Sequence, residues 1–332
     1  MKRIVRKSHI VFVALTLLFL LCACGSDPQP STSAKGTVHT TSPSEATTAA
    51  SDTTAGTADT SATTETDTTV AETDTAKTEA ASDVITTTTD TPVTEPTEAV
   101  TEPRTVDLTV TLATYNIKHG ADGLDKIAEA IREISPDIIG LEEVDVNCER
   151  SGNVDEPAEL ARLAGYPYYV FSRAISLGDG EYGTAILSRY PIESFEIISL
   201  ESGNGEDRTV GHAVVSVDGL KTDVFVTHLS YQSSSLRITQ METIAGLLAG
   251  CEHYVVLGDF NSFDLEDIFH LGADYYVNRP ERSYITFRRR EMAIDNIVVS
   301  KSFTELTSGV SDREGSDHKL LYAAFQLTGT CE

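Results

Sequence analysis

Cysteine is scarce in this sequence. Of five cysteines in 332 residues, two stand together at Cys22 and Cys24, and only Cys148, Cys251 and Cys331 are left for the rest of the chain. An odd and sparse set of thiols is no disulfide framework, even in an oxidising compartment. We read these three as incidental, with Cys331 in a frayed tail. Long hydrophobic runs are lacking as well. The longest such stretch, Ile10 to Leu21 with only Thr16 inside it, falls short of the roughly 20 apolar residues that a membrane-spanning helix needs. Basic charge is short: 25 Lys and Arg face 51 Asp and Glu, and residues 105–332 alone hold 18 basic against 37 acidic groups. Such a chain is not drawn to nucleic acid at long range, although a metal-lined cleft can be locally positive on an acidic protein. No internal repeat of about 20–50 residues stands out, which argues against solenoids and propellers.

What is present begins with a targeting pattern. Lys2, Arg3, Arg6 and Lys7 precede the apolar run and small residues follow it, the order of a secretory signal. Leu21-Cys22-Ala23-Cys24-Gly25 resembles the bacterial lipobox. That resemblance implies loss of residues 1–23, lipidation of Cys24, and a protein held on the extracytoplasmic face of a bacterial membrane. Two or more acyl chains, at about 0.8 kcal/mol per buried methylene, give durable anchorage. Cys22 stands where a small or hydroxyl residue is more usual, and an uncleaved transmembrane anchor is the alternative.

From Gly25 to Arg104 the chain is Thr, Ser, Ala, Asp and Glu with almost no large apolar side chains. Nothing there can be buried in quantity, so residues 24–104 are expected to form a lipidated, disordered linker. As a flexible coil, 80 residues would span about 50 Å.

The texture changes near Val106, and residues 105–329 read as one α/β domain. Leu108–Tyr115 reads as a strand, and apolar residues at 124, 127, 128, 131 and 134 mark one face of a helix. Asp137–Leu141 fits a strand buried on both faces. A helix is expected near Pro157–Ala164 and another over Ser234–Ala249. Strands are expected at 167–172, 182–188, 193–200, 208–217, 222–227, 253–258, 294–300 and 319–326, with a short helix near 265–271. Two helix-plus-strand halves joined by antiparallel strands imply two packed sheets with helices outside.

Polar residues cluster where these strands end. Asn116 follows the first strand, Glu142-Glu143 the second, His228 follows Val224–Thr227, and Asp259 and Asn261 follow Tyr254–Gly258. Asp295 precedes Ile297–Val299, and Asp317-His318 precedes Lys319-Leu320-Leu321. One acidic residue at a strand end is an ordinary turn residue. Six such ends are harder to dismiss, because open sheets place ligand sites outside strand ends. Carboxylates and carboxamides also suit a hard, Mg²⁺-type ion.

The segments Thr114–Ile117, Leu141–Val144, Tyr182–Ser188, Thr227–Leu229, Gly258–Asn261, Ile294-Asp295 and Ser316–His318 resemble the endonuclease/exonuclease/phosphatase family, in that family's order. The resemblance implies a four-layer α/β sandwich and a hydrolase of phosphate esters dependent on Mg²⁺ or Mn²⁺. It makes Glu143 the principal metal ligand, with Asn116 and Asp317 completing or flanking the site. By the same resemblance Asp259 and Asn261 align the attacking water, Asp295 orients His318, and His228 is the second catalytic histidine. Tyr182 and Arg208 are candidate substrate contacts, each of which could instead be a packing or surface residue. His212, inside a strand, reads as structural. Lys118 departs from the acidic residue common in nucleolytic branches, Glu142 stands where Gln is frequent, and Asn296 where Tyr or His is common.

The chemistry asks for this set. Attack of water on an anionic phosphate needs charge neutralised, and a His fixed by a carboxylate can accept the water's proton. The expected enzyme is a monomeric phosphodiesterase or phosphatase acting on a small or lipid-linked phosphate. A surface nuclease and a non-catalytic binding module are the alternatives.

Overall fold

The computed structural model describes residues 33–41 and 103–331; Cys24, the signal and most of the linker lie outside the described residues. In chain order the elements are β1 (Ser33–Lys35), β2 (His39–Thr40), β3 (Arg104–Asn116), α1 (Leu124–Ile134), β4 (Ile138–Val146), α2 (Glu156–Ala164), β5 (Tyr168–Leu177), β6 (Gly180–Ser188) and β7 (Ile192–Leu200). They continue with β8 (Arg208–Val217), β9 (Leu220–His228), α3 (Ser234–Leu248), β10 (Tyr254–Asp259), β11 (Tyr275–Tyr276), β12 (Asp295–Val299), β13 (Phe303–Val310) and β14 (Leu321–Cys331).

These form two seven-stranded mixed sheets, ordered β1-β7-β8-β9-β10-β12-β11 and β13-β14-β3-β4-β6-β5-β2. Their inner faces meet through side chains such as Leu112, Ile138 and Ile186 from one sheet and Val226, Val255 and Leu257 from the other, all almost fully buried. Each such side chain stabilises the fold by roughly 1.5–3 kcal/mol. Outside, α1 and α2 cover one sheet through Ile127, Ile131 and Leu160. On the other face α3 buries Met241, Ile244 and Leu248. The result is the four-layer α/β sandwich.

Local chemistry sets the helix ends. Asp155 accepts from the Ala158 amide and Pro157 occupies the first turn of α2, while Gly165 closes it at φ 77°. Ser233 caps α3 through the Leu236 amide at 3.2 Å.

Topology brings the site together. The parallel pairs β3/β4 and β9/β10 are each joined by a helix, α1 and α3, so each pair ends on the same side of its sheet. Register then sets Asn116 beside Glu142, and Asp259 between His228 and Asp295.

Three expectations need correction. Residues 33–41 do not behave as coil: β1 pairs with β7 and β2 with β5, so this short segment straps the same open edge of both sheets. Gly36 permits the close approach, because a Cβ there would lie 2.0 Å from the Phe195 ring, and His39 stacks on Tyr169 at 4.7 Å. Cys331 is not frayed, since it ends β14 opposite Arg104. Strand β13 lay unrecognised between two expected strands, whereas the short helix expected near 265–271 is present as the 3-10 helix Asp267–Leu271.

Candidate active site

A cleft of about 720 Å³ opens over the strand ends. Eight of the ten residues singled out in the domain line it: Glu143, Tyr182, Arg208, His228, Asp259, Asn261, Asp317 and His318. Asn116 and Asp295 stand behind them, 0% and 1% exposed.

Glu143 reaches the cleft through a bulge. Leu141 faces Ala185 and Val144 faces Gly183, so Glu142 and Glu143 together oppose one residue of β6. Glu143 takes a left-handed backbone, φ 54°, which costs a non-glycine residue on the order of 1–3 kcal/mol and persists where the surroundings fix it. Asn116 supplies part of that fixation, since its Nδ2 donates to Glu143 Oε1 at 2.9 Å and to Asp259 Oδ2 at 3.1 Å. This second bond crosses from one sheet to the other. Asn261 is held likewise: at φ 48° its amide donates to Asp259 Oδ1 at 2.8 Å, and its side chain donates to the Leu229 carbonyl at 3.0 Å.

The two histidines differ in state. Burial pulls the proton affinity of His318 down, but Asp295, bonded to Nδ1 at 2.9 Å, and the charges of Asp259 and Glu143 raise its pKa to about 10. It is an imidazolium at neutral pH, with Nε2 3.8 Å from Asp259 Oδ2. His228 is the reverse. Burial first, then the positive Arg208 and His318, push its pKa well below the ordinary value. Its Nδ1 faces Arg208 Nη1 at 3.3 Å. A guanidinium can only donate, so Nδ1 accepts and the proton resides on Nε2, 3.6 Å from Asp259 Oδ2. Asp259 thus lies between a charged and a neutral imidazole, its own pKa raised by burial and by Asp295.

Arg208 is 4% exposed, bonds Glu206 at 2.9 Å, and leaves Nε unpartnered among the described residues. Burial and the Glu143 charge push the Tyr182 phenol far up, so its hydroxyl remains a donor. Glu142 is fully buried, accepts from Thr114 at 2.8 Å and is pushed well above the carboxylate range by burial. His212 is structural as expected: its ring nitrogens meet Glu196 at 3.0 Å and Asp223 at 2.8 Å, away from the cleft.

Which residues suit a metal ion is a matter of donor chemistry. Among the described residues Asp259, Asp295 and His318 bring ligand atoms within 4.8 Å of one another. That set is compact, but Asp295 and His318 already share a proton. Glu143 and Asp317, only partly buried, offer oxygen alone, the donor type hard divalent cations take. Asn116 could add its carboxamide oxygen, which now accepts from the Lys118 amide at 3.1 Å. The Lys118 ammonium, 3.6 Å from Asp317 Oδ2, occupies part of the charge a cation would take. The Glu143 side of the cleft therefore fits such an ion better.

The sequence profile of the Endonuclease/Exonuclease/phosphatase family matches residues 113–318, from β3 to His318. The chain belongs to this family. Its members are phosphoesterase hydrolases, typically dependent on divalent metal. The Escherichia coli K12 protein YbhP, itself uncharacterized, is 27% identical over 177 residues, covering 48% of this chain and 70% of that one. A family protein from Beutenbergia cavernae superposes with a TM-score of 0.58 at 22% identity, covering 66% of this chain and 72% of its own. The Bacteroides thetaiotaomicron mannosyl-6-phosphatase Bt3783 gives 0.50 at 19%, covering 64% and 98%. The last two likenesses speak for the fold.

The family's motif positions account for the floor of the cleft but not for its walls. Sequence reasoning missed Tyr231 and Phe263, whose rings are 60% and 49% exposed. Each follows a site motif by two or three residues, a signal visible in Thr227–Tyr231 and Asp259–Phe263. The Arg237 guanidinium lies over the Phe263 ring at 5.5 Å, holding it from behind.

Proposed function

We propose that this protein is a divalent-metal-dependent phosphodiesterase or phosphatase that hydrolyses a small or lipid-linked phosphate ester, tethered through Cys24 to the extracytoplasmic face of a bacterial membrane. The observation that carries the catalytic part is the pairing of a buried, Asp295-bound His318 with a separate carboxylate, Glu143, across one cleft. Glu143, Asn116 and Asp317 would hold the ion. Bound there, Mg²⁺ or Mn²⁺ neutralises charge on the phosphoryl oxygens.

The chain's own groups do the rest. Asp259 and Asn261 hold the water, with Asp259 within 3.8 Å of both histidine Nε2 atoms. His318 moves a proton at Nε2, and Asp295 keeps the ring oriented. The neutral His228 donates from its own Nε2 to a phosphoryl oxygen, with Arg208 locking its tautomer. Tyr182 and Arg208 add donors from the side. That Bt3783 is a mannosyl-6-phosphatase supports a small phosphate ester as substrate class. The domain's excess of acid over base argues against a long nucleic acid.

The test is turnover of a panel of phosphate esters by the signal-free chain as Mg²⁺ or Mn²⁺ is titrated, with calorimetric metal binding to wild type and Glu143→Ala. Activity should require the ion, and the variant should lose most of its affinity for it. Full activity after exhaustive chelation, in protein with no retained metal, would refute the proposal.

A further inference from the structure

The cleft has one wall that the phosphoesterase reading leaves unused. Between Thr286 and Met292 the chain makes a hairpin, closed by the Phe287 amide on the Met292 carbonyl at 2.9 Å and the reverse bond at 3.2 Å. Its tip carries Arg289 and Arg290, both exposed and both lining the cleft. Neither makes an ion pair or a side-chain hydrogen bond among the described residues, although the domain holds twice as many acidic groups as basic ones. Their neighbour behaves otherwise: Arg288 turns inward and donates from Nε to the His318 carbonyl at 3.3 Å.

This hairpin is fastened to the catalytic segment. The Arg288 amide donates to the Asp317 carbonyl at 2.9 Å, and the Lys319 amide to the Thr286 carbonyl at 2.7 Å. The Phe287 and His318 rings pack with centroids 4.9 Å apart. The backbone that carries the two tip arginines is therefore fixed relative to His318, and both side chains start from the same wall of the cleft. Guanidiniums read phosphate or carboxylate by charge-assisted, bidentate bonds. A cleft of about 720 Å³ has room for a compact molecule beyond its reacting phosphoryl group.

We infer that Arg289 and Arg290 form a specificity subsite for a second anionic group on the substrate, so that the preferred substrate is a small ester with two phosphates and only one lies over Glu143 and His318. The inference rests on the phosphoesterase reading and extends it to a substrate class.

The matched pair glucose 6-phosphate and glucose 1,6-bisphosphate tests it, with wild type and the Arg289→Ala/Arg290→Ala double variant in saturating Mn²⁺. Wild type should favour the bisphosphate in kcat/KM by at least about tenfold, the scale of one charge-assisted contact. The double variant should fall towards parity, chiefly through KM, and Arg289→Lys/Arg290→Lys should recover part of the preference. Parity in the wild type, or an undiminished preference in the alanine variant, overturns the subsite. A single-stranded oligonucleotide is the third arm. A loss confined to that substrate means the second anion is a strand's next phosphate, and the small-ester assignment falls. Failure of the phosphoesterase reading would look different, since wild type would then turn over none of these esters or p-nitrophenyl phosphate. Calorimetric titration with inorganic pyrophosphate then decides the subsite alone: about tenfold weaker binding to the alanine variant supports it, and equal binding overturns it.

Discussion

Replacing Asp295 by Asn changes one atom type in the most buried ion pair of the cleft. Asp295 is 1% exposed and meets His318 Nδ1 through both carboxylate oxygens, at 2.9 and 3.2 Å. Against the cost of burial, it is the first of three carboxylates that raise the imidazole from 6.5 to about 10. Each pKa unit is about 1.4 kcal/mol, and a charge-assisted hydrogen bond contributes about 1.5–3 kcal/mol. Asparagine keeps one acceptor oxygen, so the loss is smaller than the 3–5 kcal/mol expected for an orphaned buried charge. We expect the metal-free domain to lose about 2–3 kcal/mol at pH 6.

The sign follows from the direction of the shift. A proton held more tightly in the folded state stabilises fully below the unfolded value, near 6.5, and that stabilisation fades as pH climbs towards about 10. Urea denaturation in chelator at pH 6, 8 and 10 should therefore show wild type and Asp295→Asn converging at the alkaline end. Turnover should fall by at least about 10²-fold, because the ring loses the carboxylate that orients it and holds its proton. Equal stability across the pH range, together with turnover within about threefold of wild type, would show that Asp295 does not govern His318.

Three further outcomes are expected. His318→Ala and Asp259→Ala should each lower turnover by at least about 10²-fold with unchanged circular dichroism; wild-type rates in either would overturn the assignment of the proton-handling groups. Gly36→Val puts a side chain into the Phe195 ring, so limited proteolysis should cut within residues 33–41 while the unfolding free energy changes by less than about 1 kcal/mol; protection equal to wild type would mean the strap tolerates the clash. Cys24→Ser should move the protein from the membrane pellet to the soluble fraction, since acyl chains are the proposed anchor; a mutant that stays in the pellet points to an uncleaved apolar segment.

Legibility in the sequence followed the strength of local periodicity. The buried strand Ile138–Leu141 and the face of α1 were visible because runs of large apolar side chains have few other uses. The site was visible for a related reason, since polar residues break those runs where each strand leaves the core. Strand β13 was missed because Phe303–Val310, with Thr, Glu, Ser and Gly between its apolar positions, has little hydrophobic signal and gains its ladder from β14. The strap was missed because three and two paired residues carry no periodicity at all. Their docking depends on Phe195 and Tyr169, more than a hundred positions away in the chain. The aim of Glu143 was illegible too, being set by a bulge and a left-handed backbone. So was the contrast between His228 and His318, which arises from Arg208 on one ring and Asp295 on the other.

The strap also changes what the Thr-rich segment can do. With residues 33–41 fixed to the sheet edges and β3 beginning at Arg104, residues 42–103 start and finish on the same body. The length of chain between those two points therefore adds nothing to the reach of the domain from an anchor upstream of Ser33. For a lipid on Cys24, as proposed, the only tether is residues 25–32, at most about 29 Å when fully extended. The edge formed by β7 and β5 would then ride close to the bilayer, and lengthening or shortening the Thr-rich segment would leave its height above the membrane unchanged.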